Sequence, residues 1–287
     1  MKKILLTAMV LAVVAMFASC TKEGVYNPSK KISRVYESSG SSKVLTELWH
    51  WDGKKLTSID YYSSTGSISR TYNFTYDGKQ LTRVDCYAYN FYLEFTYDGS
   101  KLKKFNTYYG GALDMSGDVT YDGSKVSQIA VTYNDKGIAT KDPELMQMDA
   151  RMLELVIPCF DKESYAKQLA TKGVETSTYN FTWDGSNISQ TVLTNGSHRA
   201  TRKYTYDKKN NPYHGSLWAF YDEGINMWGS KNNTLTQVYT EQDNSGTDTR
   251  SYTYSYTYDG NWPTIQNISY SIDGSTYSYA TYWEYDD

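Results

Sequence analysis

An alternating run of aromatic and small polar residues ending in Asp-Gly, then a short spacer, an aliphatic, and a second aliphatic three residues later, recurs along this chain. Its clearest form is Phe74-Thr75-Tyr76-Asp77-Gly78 with Leu81 and Val84. It returns as Trp49-His50-Trp51-Asp52-Gly53 with Leu56 and Ile59, as Phe95-Thr96-Tyr97-Asp98-Gly99 with Leu102 and Phe105, and as Val119-Thr120-Tyr121-Asp122-Gly123 with Val126 and Ile129. Phe181-Thr182-Trp183-Asp184-Gly185 with Ile188 is a further copy, and weaker ones end at Asp207 and at Asp259-Gly260. Alternation with a period of two describes a strand with one covered and one wet face. Asp-Gly between two such runs is a strong short-range hairpin signal, because Gly reaches positive φ without a Cβ penalty. Each repeat therefore predicts a hairpin whose turn is marked by Asp52, Asp77, Asp98, Asp122, Asp184 or Asp259, with the carboxylate accepting from backbone amides just beyond.

The three-residue spacing of the aliphatics conflicts with a regular strand, where one face recurs every two residues. Either the first aliphatic packs over the strand end or a bulge resets the register; the reading adopted is turn-end packing. Between the Asp-Gly sites lie Ser63-Ser64-Thr65-Gly66, Tyr109-Gly110-Gly111, Asn195-Gly196-Ser197 and Asn244-Ser245-Gly246, further turn signals of a more variable kind. Together these predict an all-β antiparallel meander of about 16 strands, rolled into a barrel or half-barrel, with Asp-Gly turns along one edge and Ser/Gly loops along the other.

Residues 1–19 read as a lipoprotein signal peptide: Lys2 and Lys3, an apolar run from Ile4 to Phe17, and small residues before Cys20. Cys20 stands where such a signal places its acylated cysteine, although Phe17 is a loose fit; the alternative is an ordinary cleaved signal. Acylation would make the mature protein membrane-attached through Cys20, with residues 20–30 as a flexible tether and 31–287 as one β domain. The repeat breaks at 138–173. There Asp142-Pro143-Glu144 caps an apolar stripe of Leu145, Met148, Met152, Leu155 and Val156, which predicts a short helical insert. A second excursion, 207–233, is rich in Gly and aromatics.

Removing Lys2 and Lys3 takes the formal charge from −3 to −5, and no Lys/Arg block appears, so the expected partners include no nucleic acid. The 30 tyrosines suit a covered face that is only partly dry. An outer-membrane barrel is the competing reading of so many strands, but the non-aromatic face is Thr, Ser, Asn, Lys and Arg, which suits contact with water rather than lipid. Cys86 and Cys159 could pair in an oxidising compartment or stay as buried thiols.

The repeated Tyr-Asp-Gly units resemble the tyrosine-aspartate repeats of bacterial surface proteins. With the lipoprotein start, the helical interruption and Asp207-Lys208-Lys209-Asn210-Asn211-Pro212-Tyr213, the chain is similar over about residues 31–285 to uncharacterised Bacteroidetes lipoproteins with a porin-like β fold. That resemblance implies an outer-membrane lipoprotein, facing the periplasm or the cell surface. It implies no activity.

Nothing points to a cofactor or metal. His50, His198 and His214 lack a second ligand at useful spacing, and each Asp-Gly offers one carboxylate where calcium needs six to eight oxygens. Paired carboxylates for glycoside hydrolysis, for example Asp222 and Glu223 with Glu241, are one use of the acidic residues; solvated surface charge is the alternative. Trp218, Tyr221, Asn226 and Trp228 form the candidate ligand-binding set, planar rings for sugar faces with an amide for hydroxyls; the alternative is that they cover the end of the sheet. The expected function is a non-catalytic module of the cell envelope binding glycan or peptide, with a structural or assembly protein as the competitor.

Overall fold

In the computed structural model, residues 26, 28–39, 42–134, 175–216, 229–244, 246–272 and 275–286 are described. They form β1 (Lys31–Ser39), β2 (Ser42–Asp52), β3 (Lys55–Tyr62), β4 (Ile68–Asp77), β5 (Gln80–Cys86), β6 (Phe91–Asp98), β7 (Lys101–Tyr109) and β8 (Ala112–Asp122). The meander continues as β9 (Lys125–Tyr133), β10 (Glu175–Asp184), β11 (Asn187–Asn195), β12 (His198–Asn210), β13 (Asn232–Asp243), β14 (Gly246–Asp259), β15 (Trp262–Ile272) and β16 (Ser275–Asp286). Every strand pairs antiparallel with its sequence neighbours, and β1 pairs with β16, so the sheet closes into a 16-stranded barrel with no free edge. The expected meander is therefore present and fully closed. The 138–173 insert lies outside the described residues.

The Asp-Gly turns are two-residue loops. Asp52 pairs with Lys55, leaving Gly53 and Lys54 at the turn centre, and Gly53 sits at φ +53°. Glycine at the first central position matches a turn whose twist continues that of the flanking strands. Each aspartate is thus the last strand residue. The side chains of Asp52, Asp77, Asp98, Asp122 and Asp184 are exposed, and no described hydrogen bond uses their carboxylates; Asp259 instead pairs with Lys30. Glycine, not carboxylate capping, makes these turns.

The aliphatic spacing is explained by bulges, and the expectation of turn-end packing is corrected. Thr75 pairs with Arg83 but Tyr76 pairs with Leu81, so Thr82 is an extra residue, and Leu81 and Val84 both face inward. The same shift recurs at Thr57, Lys103, Ser127, Ser189 and Thr264. Where the extra residue is Ser or Thr, its hydroxyl donates to a carbonyl across the hairpin: Thr57 to His50 O at 2.9 Å, Thr82 to Thr75 O at 3.1 Å, Ser127 to Thr120 O at 3.2 Å, Ser189 to Thr182 O at 3.1 Å. Unpaired backbone at a bulge is satisfied locally.

At most of these bulges the carbonyl just before the extra residue accepts from the aromatic that precedes the next turn aspartate. Tyr76 donates to Leu56 O at 3.0 Å, Tyr97 to Leu81 O at 2.6 Å, Trp183 Nε1 to Val126 O at 2.7 Å and Tyr206 to Ile188 O at 2.6 Å. Trp51 Nε1 and the Tyr285 hydroxyl do the same at Ile32 O and Pro263 O. This is why Tyr or Trp stands there rather than Phe: the ring fills the core while its polar atom reaches a carbonyl freed by the bulge. Each such bond contributes about 1 kcal/mol net. A second layer lies at the turns, where Lys101 donates to Gly123 O and Lys125 to Gly185 O, both at 2.6 Å, each ammonium also lying over the ring of Tyr121 or Trp183. Hairpin is thus stapled to hairpin around the turn end.

The core occupies this end. Ile32, Leu56, Ile59, Val84, Leu93, Leu102, Phe105, Val126, Ile129 and Ile188 line it, and two chain segments close it. Tyr26 is buried at 9% exposure, its hydroxyl donating to Pro212 O, with its ring against Trp49 and Trp51. Tyr213, 2% exposed, packs on Trp49 and Trp283 and accepts from Trp283 Nε1 at 2.9 Å. Within residues 20–30, read from sequence as a flexible tether, Tyr26 belongs to the core.

The outer faces of three strands are polar throughout: Ser69, Thr71, Asn73 and Thr75 on β4, Arg199, Thr201, Lys203 and Thr205 on β12, and Thr249, Ser251, Thr253, Ser255 and Thr257 on β14, while Tyr92 and Tyr108 stack outward beside Arg83. A barrel that spans lipid carries an outward apolar band instead.

Candidate functional site

The four residues proposed from sequence, Trp218, Tyr221, Asn226 and Trp228, lie outside the described residues, as do Asp222 and Glu223. Their flanks are part of the closed end. Asn211 Nδ2 donates to Ser230 O at 2.8 Å, and Ser230 Oγ accepts from Ile188 N at 3.0 Å and donates to Tyr206 OH at 2.9 Å. Asp207, the weaker turn copy, accepts from the amides of Lys209 and Asn233 and from the Tyr258 hydroxyl, which locks the start of the excursion. Tyr213 and Ser216 are buried, and these flanks cover the sheet end.

The opposite end of the lumen is different. Towards the loops at 195–198, 243–246 and 272–275, inward side chains of β12–β16 become polar and partly solvated. Tyr252 pairs with Tyr270, and Tyr270 with Tyr277, so three tyrosines stand side by side on the inner wall. Their ring centroids are 5.3 and 5.5 Å apart, the second pair stacked at 20°. Tyr279 follows on the same face as buried Trp283. Tyr277 and Tyr279 are 49% and 41% exposed, unlike the tyrosines lower in the barrel. Large exposed rings grouped on the inner face at the open end, where β14 and β16 are exposed on both faces, mark a surface suited to a ligand.

Charged groups beside this wall are matched. His198 lies 2.6 Å from Glu241 Oε1, Tyr239 donates to Glu241 Oε2 at 3.0 Å, and Arg250 Nε donates to Asp248 Oδ2 at 2.7 Å. The Arg202 guanidinium lies 5.1 Å from the Tyr239 ring centre. On the facing strands, Glu47 accepts from Trp49 Nε1 at 2.7 Å, and Arg70 stacks 4.4 Å over Tyr61. Glu37 also faces inward, and partial loss of water among the lumen walls raises its carboxyl. Glu241, weighed from sequence as half of a carboxylate pair, is held by His198 and Tyr239. Among the described residues no three metal-ligating side chains converge. The wall can bind by ring faces and hydrogen bonds. Cys86 has no exposed surface, burial raises its thiol, and Cys159 lies outside the described residues.

Burial acts on the tyrosines collectively. It pushes Tyr254 up to about 12, raises Tyr26 well above the ordinary value, and raises Tyr76, Tyr133, Tyr206, Tyr256 and Tyr285 further than Tyr254. A folded value above the unfolded one, about 10, means that the stabilisation is complete below pH 10 and lost as pH climbs through the folded values. Denaturant midpoints measured against pH should fall steeply above pH 10, in step with a late rise in tyrosinate absorbance. A flat midpoint between pH 9 and about 12 would contradict this packing.

Similarity to solved structures agrees with the barrel. A porin-like protein from Bacteroides vulgatus matches with a TM-score of 0.54 at 14% identity, covering 90% of this chain and 99% of that one. One from Bacteroides uniformis matches at 0.53 with 11% identity, covering 91% and 100%. The shared feature is the fold. The sequence matches no protein-family model and no curated protein. Sequence reasoning missed the inner tyrosine wall, because Tyr252, Tyr270, Tyr277 and Tyr279 become neighbours only through strand register; their alternation with Ser and Thr was the available signal.

Proposed function

We propose that this chain is an envelope lipoprotein, acylated at Cys20, whose barrel is a non-catalytic binding cup for glycan. The observation carrying this is the half-exposed pair Tyr277 and Tyr279 on the inner wall, continuous with Tyr270 and Tyr252. Planar rings stack against the apolar faces of sugars, while Arg250, Asp248, His198 and Glu241 supply donors and acceptors for hydroxyls. A pore is the less suitable use of this barrel, because Tyr26, Trp49, Tyr213 and Trp283 fill its turn end.

Affinity electrophoresis against a panel of polysaccharides tests the reading. The protein should be retarded by at least one of them, and Tyr277→Ala with Tyr279→Ala should weaken retention by about tenfold or more, as expected when base-sized stacking contacts of 1–3 kcal/mol are lost. No retardation, or retardation indifferent to both substitutions, would remove the glycan reading and favour an assembly role.

A further inference from the structure

We infer that the sealed turn end is the face this molecule presents to a lipid surface, and that the lumen mouth points away from the membrane. The inference rests on acylation at Cys20, and adds to that reading an orientation. Tyr26 is fixed in the turn-end core by its bond to Pro212 O and its contacts with Trp49 and Trp51. β1 starts at the same end, with Lys31 donating to Gly53 O of the first Asp-Gly turn and Lys30 pairing with Asp259 of the last. The six residues from Cys20 to Tyr26 reach at most about 20 Å when fully extended. The strands carry the wall roughly 30 Å from the turns to the mouth, taking the rise per residue and the usual tilt of barrel strands. An acyl chain on Cys20 cannot bring the mouth to the bilayer with so short a leash.

The turn end is also chemically suited to headgroups. Exposed Asp52, Asp77, Asp98 and Asp122 alternate with Lys54, Lys79, Lys101 and Lys125, giving a mixed-charge rim that neither strongly repels nor requires anionic lipid. The outer faces of β4 and β14, built of Ser, Thr and Asn, offer no apolar stripe along which that side of the barrel would lie down.

Energy transfer on vesicles tests the orientation. The full chain, produced in cells that acylate lipoproteins, is placed on vesicles of phosphatidylethanolamine and phosphatidylglycerol carrying a headgroup acceptor dye. Donors are attached at Lys79→Cys, on the turn end, or Ser197→Cys, at the mouth, in a Cys159→Ser background, with the unsubstituted background as the labelling control for buried Cys86. Transfer from position 79 should clearly exceed transfer from position 197. Equal or reversed transfer from an acylated, vesicle-bound protein would overturn the orientation alone. A mass showing no acyl group would overturn it by removing the tether, and would count against the lipoprotein reading as well. Polysaccharide retardation is read separately and stays unaffected in either case.

Discussion

Replacing Gly117 by alanine should destabilise the barrel by about 2–3 kcal/mol, near the upper end of what overpacking costs. Gly117 lies on β8 directly across from Phe105 on β7, and the phenyl ring occupies the space a side chain would fill: a Cβ built on Gly117 would stand 2.1 Å from Phe105 Cζ. Phe105 is 2% exposed and belongs to the turn-end core, so the ring has little room to yield. Phe105→Ala should itself cost about 3–5 kcal/mol through lost burial and the cavity left behind. In that background Gly117→Ala should cost little, because the clash partner is gone. Urea unfolding of the four proteins in this cycle checks the account, and additive losses would show that ring and glycine are not coupled.

Tyr213→Ala should be comparably damaging, by about 3–5 kcal/mol, the usual range for deleting a buried aromatic. Tyr213 is the loop residue that bridges Trp49 on β2 and Trp283 on β16, across the β1 segment where the barrel closes. Its removal leaves a cavity between two indoles and strips Trp283 Nε1 of its acceptor. Tyr213→Phe separates the two effects, since it keeps the ring and loses only the bond, at about 1–3 kcal/mol for a buried donor left unmet. Trp fluorescence should shift to the red in the alanine protein and remain near the parent position in the phenylalanine protein. Equal effects of the two substitutions would mean that the hydrogen bond, not the ring, holds the closed end.

Much of the fold was legible in local pattern because each hairpin carries its own instructions. Alternation sets the strand, Asp-Gly sets the turn, and the inward choice of Tyr against outward Thr is repeated in Tyr252 to Thr257 with almost no noise. The bulge was legible too, although it was read as turn-end packing: Leu81 and Val84 are three apart, and Thr82 between them has the hydroxyl that completes the hairpin. What local pattern could not carry was contact between distant segments. Tyr26 looked like part of a polar leader because its partner, Pro212, is 186 residues away. A 3₁₀ turn at Tyr87–Tyr89, ended by Asn90 at φ 48°, joins β5 to β6, and alternation does not encode it. The lumen wall was hidden for the same cause as Tyr26: four tyrosines from three strands share a surface only after register is known.

The likeness to porin-like barrels and the chemistry of this barrel point in different directions. Strand number and closure belong to the fold, but solvent preference is decided by which residues face out. On β4, β12 and β14 Ser, Thr, Asn, Lys and Arg face out and aromatics face in, as on a barrel whose outer wall meets water and whose turn end is closed.

Phase partitioning of the protein with Cys20→Ala and without residues 1–19 tests that claim most directly. It should remain folded and monodisperse in buffer without detergent, separate into the aqueous phase, and produce no conductance in planar bilayers. Partition into the detergent phase together with stable single-channel steps would contradict it, and would mean that the polar outer face meets lipid after all.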